Sequence, residues 1–368
     1  MKLLKRIEIN LRKRINKLLN SGSLPVLISS PELVLNLGDY PKIMVLRHDR
    51  IGDVLVSIPF FKLLRKRFPK ARIDIILGKK NQGCRTALLS YFNNILIYEK
   101  NIFKISGMLF SIRQTKYDLI IDPFDKVSST SNLFVKFSKA ALKLSIDKEN
   151  SSVYTHVVPL RDKNKYHVVE RTAALLLAFG IEPKNSDLSL EYTIMPSILE
   201  SAKNKLPPKE HFRIGINLFG SDRTRFWGLE NNSEFIKIIK EKQQNCEILI
   251  LTTPKYQYEL SLLTQNGLAK AAPFADSLDE YAAMLSTCDM IITPDTSAIH
   301  FAAAYKIPCI SLFKSSNKEN GLVWSSYQPN SQSIISGTQN ICDISVAIVM
   351  EAFDRINCGA NNYNDEAF

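Results

Sequence analysis

The residues best suited to chemistry in this 368-residue chain lie in two short runs, His48-Asp49-Arg50-Ile51-Gly52-Asp53 and Asp295-Thr296-Ser297-Ala298-Ile299-His300. In the first, an apolar strand from Ile43 to Leu46 enters a polar turn, and Asp53 falls in the first turn of the helix that follows. Gly52 before it lets the backbone come close to a ligand. A carboxylate so placed can take the proton of a bound hydroxyl, provided that its own proton affinity is raised or the hydroxyl is strongly polarised. It can also do no more than cap the helix and complement its dipole. His48 and Arg50 line the same turn, where Arg50 suits an anionic acceptor or a donor phosphate, or simply stands in solvent.

The second run opens another helix. Backbone N–H groups at a helix start, joined by the Asp295 turn and the hydroxyls of Thr296 and Ser297, suit the oxygens of a pyrophosphate. His300 falls on the same side of that helix as Ser297, in reach of a phosphate or of Asp295; a lone histidine is otherwise structural. A third stretch, Gly220 to Trp227, follows an apolar strand at the place where a phosphate-binding turn belongs. Gly215 and Gly220 have the spacing of a P-loop, but Ser221 and Asp222 follow in place of Lys-Ser/Thr, which excludes that reading. Arg223 is a plausible helper there, and Trp227 reads as packing. With no D-x-D triplet and no histidines at ligand spacing, no metal site is expected.

The elements that must position these residues alternate strand and helix. Short apolar strands are predicted at 43–47, 73–77, 95–98 and 118–122, with helices at 53–67, 84–91, 131–139 and 167–180. After a Pro-Pro break within 195–210 the pattern restarts. Strands are predicted at 213–217, 247–252, 289–293 and 308–312, with helices at 232–243, 255–265, 277–286 and 297–304. Continuous apolar strands between helices make parallel sheets covered on both faces. The fold class is therefore α/β, with two Rossmann-like domains facing a cleft. The expected divisions are a basic segment and linker over 1–40, a first domain over 41–200 and a second over 201–340. Residues 341–368 then supply a final helix, expected to cross back onto the first domain, and a polar, Asn-rich, disordered tail.

Hydrophobic content of 45% and charged content of 23% describe a soluble globular protein. No apolar run approaches the ~20 residues of a membrane helix, and the first residues lack the apolar core of a signal peptide. Six scattered cysteines without C-x-x-C spacing fit a reducing cytoplasm. A net charge of +12 implies anionic partners of some kind: either it serves solubility alone, or it attracts a nucleotide diphosphate in the cleft and an anionic lipid surface outside it. Nucleic acid is not expected, since the basic segments lack interleaved aromatics. Residues 1–20 carry seven Lys or Arg against one Glu, with leucines and isoleucines at helical spacing. Such a helix either packs on the protein by its apolar stripe or rests on the anionic leaflet of an inner membrane.

Together the three segments resemble the ADP-heptose glycosyltransferases, glycosyltransferase family 9. The family's S-x-G-D turn and closing proline correspond to Asp49 through Asp53 with Pro59, and its D-T-G-x-x-H-x-A-A motif to Asp295 through Ala303. Its basic-and-aromatic element corresponds to Ile214 through Trp227, and the resemblance spans roughly Pro41 to Tyr327. It implies a GT-B architecture and an inverting, metal-independent transfer of heptose from ADP-heptose. The acceptor would be an inner-core lipopolysaccharide sugar, Kdo or heptose, on a lipid-linked oligosaccharide at the cytoplasmic face of the inner membrane. No cofactor is implied beyond the nucleotide-sugar donor. Asp53 takes the role of base, Ser221 that of hydroxyl donor and Arg225 that of the cation on the diphosphate. Two departures stand out. His48-Asp49-Arg50 replaces small Ser or Thr residues, which concerns acceptor contacts (His48, Arg50), and Ser297 replaces a glycine, which narrows the backbone's approach to the donor. Another nucleotide sugar or acceptor (glycan or protein), or a non-catalytic sugar-nucleotide-binding protein, remain as alternatives.

Overall fold

The computed structural model describes residues 22–149, 151–315 and 322–364; the basic segment over 1–20 and the end of the tail lie outside them. The chain divides between Leu188 and Ser189 into two units.

The first unit is built on seven parallel strands: β1 (Val26–Leu27), β2 (Lys42–Arg47), β3 (Arg72–Gly78), β4 (Asn94–Tyr98), β5 (Leu119–Asp122), β6 (Leu142–Ile146) and β7 (His156–Val158). Their order is β1-β7-β6-β5-β2-β3-β4. Leaving aside the short β1, this is the Rossmann order, and the strand sequence reverses direction between β2 and β5, whose register pairs Ile43 with Leu119 and Val45 with Ile121. Ile43 through Leu46 are wholly buried, as a central strand covered on both faces requires.

Among the described residues five helices cover this sheet: α1 (Ile51–Leu55), α2 (Ile58–Arg67), α3 (Ile102–Thr115), α4 (Ser129–Phe137) and α5 (Val168–Ala173). The one helix predicted over 53–67 is two. The Ser57 hydroxyl donates back to the Asp53 carbonyl at 2.8 Å, offering the backbone an alternative to the helical ladder, and Pro59 has no N–H to carry that ladder through. The helix predicted at 84–91 is a pair of tight 3-10 turns, Gln82–Cys84 and Thr86–Leu88. Helix α3 was not predicted at all. Its apolar residues cover a broad arc instead of one narrow stripe, and Ile112 alone within it is buried.

The second unit repeats the wiring. Its strands are β8 (Arg213–Asn217), β9 (Glu247–Leu251), β10 (Lys270–Ala271), β11 (Met290–Pro294), β12 (Cys309–Phe313) and β13 (Ser331–Ile335). They lie in the order β10-β9-β8-β11-β12-β13, all parallel, with the reversal between β8 and β11. Its helices are α6 (Pro196–Lys205), α7 (Leu229–Lys242), α8 (Gln257–Thr264), α9 (Leu278–Leu285), α10 (Ala298–Ala304) and α11 (Val346–Asn364). Helix α6 belongs to this unit because it packs on α9, where Lys205 meets Glu280 at 2.5 Å. Val349, Phe353 and Ile356 of α11 enter the same core as Ile214, Phe235 and Ile310, and the helix runs on to Asn364. Cys246, Cys288 and Cys309 are buried free thiols, the small-hydrophobe role their apolar surroundings predict.

Candidate active site

In the first unit, β2 delivers the chain to the carboxyl edge of the sheet at its point of reversal, where open α/β sheets hold ligands. Two devices fix the turn that follows. Asn81, wholly buried, donates from Nδ2 to the Arg47 carbonyl (2.8 Å) and accepts from the Gly78 N–H (2.8 Å). Gly78 itself lies so close that a β-carbon there would stand 2.4 Å from the His48 carbonyl oxygen, so only glycine fits.

Around this turn Arg47 holds two carboxylates. Its Nη1 lies 3.4 Å from Asp49 Oδ2 and its Nη2 3.7 Å from Asp53 Oδ1, while Nε donates to the Asp53 carbonyl at 2.9 Å. The Arg47 side chain is 4% exposed and the two carboxylates 18% each, so the group is screened from water but still reachable. Asp53 Oδ2 accepts the Arg50 N–H (3.2 Å), closing a capping box at the start of α1. Helix capping and a second carboxylate oxygen beside Arg47 therefore coexist in one side chain. Asp49 Oδ1 is buried without a hydrogen-bond partner. Burial pushes the Asp49 carboxyl up to about 7, against the pull of Arg47 and with a smaller push from Asp53.

His48 packs its ring against Phe124, centroids 4.9 Å apart, and edge-on to Tyr98. Burial brings its imidazole down to about 4, Asp122 opposing and Arg47 adding, so it is neutral near pH 7. Arg50 is exposed. Below His48, at the end of β5, Asp122 is wholly buried and receives Lys148 Nζ at 2.9 Å and the Tyr154 hydroxyl. Lys148 also donates to the Phe124 carbonyl at 2.7 Å, so this buried pair positions the aromatic ring on which His48 rests.

In the second unit, the turns after β8, β11 and β12 converge at the equivalent edge. Asn217, the last residue of β8, donates from Nδ2 to the hydroxyls of Thr293 (2.9 Å) and Thr296 (3.2 Å). Thr296 Oγ1 in turn accepts the Ala298 N–H at 3.2 Å, so that hydroxyl shapes the start of α10. Arg225 reaches across from the β8 turn to Asp295, Nη2 to Oδ2 at 3.1 Å and Nη1 to the backbone oxygen at 2.9 Å. It lies flat on Gly220, where a β-carbon would meet its Cδ at 2.6 Å. Lys314, just past β12, donates to Thr224 Oγ1 at 2.8 Å and lies 3.6 Å from Asp222.

The structure thus joins Arg225, Asp295 and Thr296 of the predicted set. Ser221 is exposed beside them, its Oγ 3.3 Å from Asp222 Oδ2, and half-buried Ser297 precedes α10 without a side-chain cap bond. His300 is 4% exposed within α10, its ring centroid 6.0 Å from that of Trp324. Trp227 packs in the core and donates to the Ile344 carbonyl at 2.8 Å, as its packing role predicts. Arg223 leans toward Glu259, 3.5 Å away. No motif in the sequence marks Arg47, Asn217 or Lys314, and none gives Asp49 a task. Their shared signal is a polar residue at or just past the last position of an apolar strand.

A polar edge of this kind in each of two Rossmann sheets is common to many nucleotide-using proteins, and comparison with known sequences decides among them. The profile of glycosyltransferase family 9 (heptosyltransferase) matches residues 108–346, about two thirds of the chain. The chain belongs to glycosyltransferase family 9. The matched span of this glycosyltransferase includes Ser221, Arg225 and the Asp295–His300 run, and the Asp53 turn precedes it. Lipopolysaccharide heptosyltransferase 3 of Escherichia coli is 23% identical over 282 residues, covering 71% of this chain and 80% of the relative. Among solved structures, a family 9 glycosyl transferase from Veillonella parvula superimposes with a TM-score of 0.72 at 18% identity, covering 88% of this chain and 98% of its own. E. coli ADP-heptose lps heptosyltransferase II gives 0.68 at 20% identity, covering 87% and 99%. The glycosyltransferase therefore has the GT-B type of fold, built from two Rossmann-like units with parallel sheets of seven and six strands.

Proposed function

We propose that this glycosyltransferase moves heptose from ADP-heptose to a Kdo or heptose residue of the lipopolysaccharide inner core, with inversion at the anomeric carbon. The observation that carries the donor half is the pairing of Arg225 with Asp295, with Lys314 beside the same turn. Two cations and a polar turn collect at a sheet reversal, where a diphosphate would take its place. The E. coli structural relative is an ADP-heptose heptosyltransferase, which supports the choice of nucleotide sugar.

In this reading Asp53 removes the acceptor hydroxyl's proton as the oxygen forms a bond to the anomeric carbon. The bond from that carbon to the phosphate oxygen breaks, and the charge leaves with ADP. Arg225 and Lys314 stabilise that departing charge, with Ser221, Thr296 and Ser297 as further polar contacts and no metal ion required. His300 supports α10 from within. Arg50 and neutral His48 flank the acceptor hydroxyl. The acceptor being lipid-linked, the enzyme works against the cytoplasmic face of the inner membrane, and residues 1–20 contribute basic charge to that contact. Among the described residues no helix is long and apolar enough to cross a membrane.

The test is ADP release and product mass with ADP-heptose and inner-core acceptors carrying Kdo or Kdo-heptose, alongside a panel of other nucleotide sugars and an EDTA control. ADP-heptose consumption with an inverted anomeric linkage supports the proposal. Consumption of a different nucleotide sugar, with ADP-heptose untouched, overturns the donor assignment.

A further inference from the structure

We propose that α3 is a bilayer-docking helix whose exposed aromatic face lies on an anionic phospholipid surface. Ile102 is 77% exposed, Phe103 82% and Phe110 63%, an unusual density of large apolar side chains in water for one 14-residue helix. Phe103 and Phe110 are two helical turns apart, so they project along one line about 10 Å from each other. The opposite side of the helix anchors it: Ile112 is buried, and Met108 and Leu109 pack on the sheet core. The helix start is formed, with Asn101 Oδ1 accepting the N–H groups of Phe103 (3.0 Å) and Lys104 (3.2 Å).

Charge selects the occupant. No acid occurs between Lys100 and Tyr117, while Lys100, Lys104, Arg113 and Lys116 border the aromatic face and are all exposed. Of the two flanking acids, Glu99 is held by Lys104 at 2.8 Å and Asp118 accepts the Lys42 N–H at 2.8 Å. Aromatic residues rimmed by lysine and arginine are what the boundary between headgroups and acyl chains of an anionic bilayer accepts. Position agrees with use. Helix α3 starts just past the carboxyl end of β4, so Ile102 and Phe103 stand at the same edge of the sheet as the Asp53 turn. This extends the proposed lipid-linked acceptor without depending on its sugar.

The experiment uses the full chain and no sugar donor, so it stands or falls apart from the heptosyl reading. Phe103→Trp is titrated with vesicles of phosphatidylcholine alone or with added phosphatidylglycerol. Its emission should shift to the blue, and brominated lipid should quench it, with anionic vesicles only. In co-sedimentation, Ile102→Ser/Phe103→Ser/Phe110→Ser should lose roughly tenfold or more of the wild-type vesicle partitioning while keeping the wild-type melting temperature. Lys104→Glu/Arg113→Glu should lose the salt-sensitive part. Wild-type partitioning by the triple serine variant, as residues 1–20 acting alone would produce, overturns the proposal. So does a wild-type dimer in sedimentation velocity that the triple variant converts to monomer, which would assign the face to a second copy.

Discussion

Arg225 is bound to Asp295 twice, by its side chain to the carboxylate at 3.1 Å and by its other terminal nitrogen to the backbone oxygen at 2.9 Å. One guanidinium thus fixes the distance between the β8 and β11 turns and keeps the rest of its charge for a ligand. Arg225→Ala should weaken ADP binding by about 1.5–3 kcal/mol, and Arg225→Lys should recover only part of it, because an ammonium cannot make both contacts. Calorimetry with ADP checks this; equal affinity in the lysine variant would show that charge alone matters.

Lys314 stands outside every motif legible in the sequence, yet it shares Asp222 with Arg225. Lys314→Ala should also reduce ADP affinity, by about 1–2 kcal/mol, and combining it with Arg225→Ala should be non-additive because the two cations share a partner. Strict additivity would place them in separate sites.

Asp53→Asn should lower turnover by ~10²–10⁴-fold and leave ADP affinity nearly unchanged, since a base acts on the transition state and not on nucleotide binding. Asparagine keeps a side-chain oxygen able to cap α1 but gives up the charge facing Arg47, so a melting curve run alongside separates lost stability from lost chemistry. Turnover within a few-fold of wild type would reduce Asp53 to a cap.

Burial raises the Asp49 carboxyl to about 7, above its value near 4 in an unfolded chain. The folded state therefore holds that proton more tightly, and the associated stability is complete below about pH 4 and lost as pH rises through 7. Arg47, Asp53 and Asp122 are the charges facing it. Relative to Asp49→Asn, which has no proton to lose, the wild type should become less stable between pH 5 and pH 8, by ~1–3 kcal/mol. Parallel melting curves of the two proteins over that range would contradict the burial argument.

Gly78→Ala should destabilise the first unit by about 1–3 kcal/mol and displace the His48–Asp53 turn, because its β-carbon would press on the His48 carbonyl. Denaturant unfolding and turnover should fall together. An unaffected turnover would mean that the turn tolerates the shift.

The strands of both sheet centres were legible because Ile43–Leu46, Ile214–Ile216 and Met290–Ile292 are short apolar runs buried on both faces. Edge strands such as β1 and β13 were not, since their residues are exposed or half-buried and carry no pattern. Asp53 and Asp295 could be singled out because each follows such a strand at a helix start. Arg47 closes its strand as one polar residue among many, and its role depends on two carboxylates folding back onto it. Helix α3 escaped for the opposite reason: its apolar residues spread well beyond one stripe and blur the periodicity that marks a helix with one buried face.

All strands in both sheets run one way, so each unit has two unlike rims. The carboxyl rim carries Arg47 and Asp53 in the first unit and Arg225, Asp295 and Lys314 in the second; in the second unit the other rim holds the buried Arg213–Glu247 pair at the strand beginnings and the exposed Gln243–Gln244 turn. The first rim must keep its spacing to a fraction of an ångström, while the second need only close loops. Drift in sequence, insertions and grafted peptides should therefore be absorbed along the second rim, leaving the enzyme free to diversify there without retuning its chemistry.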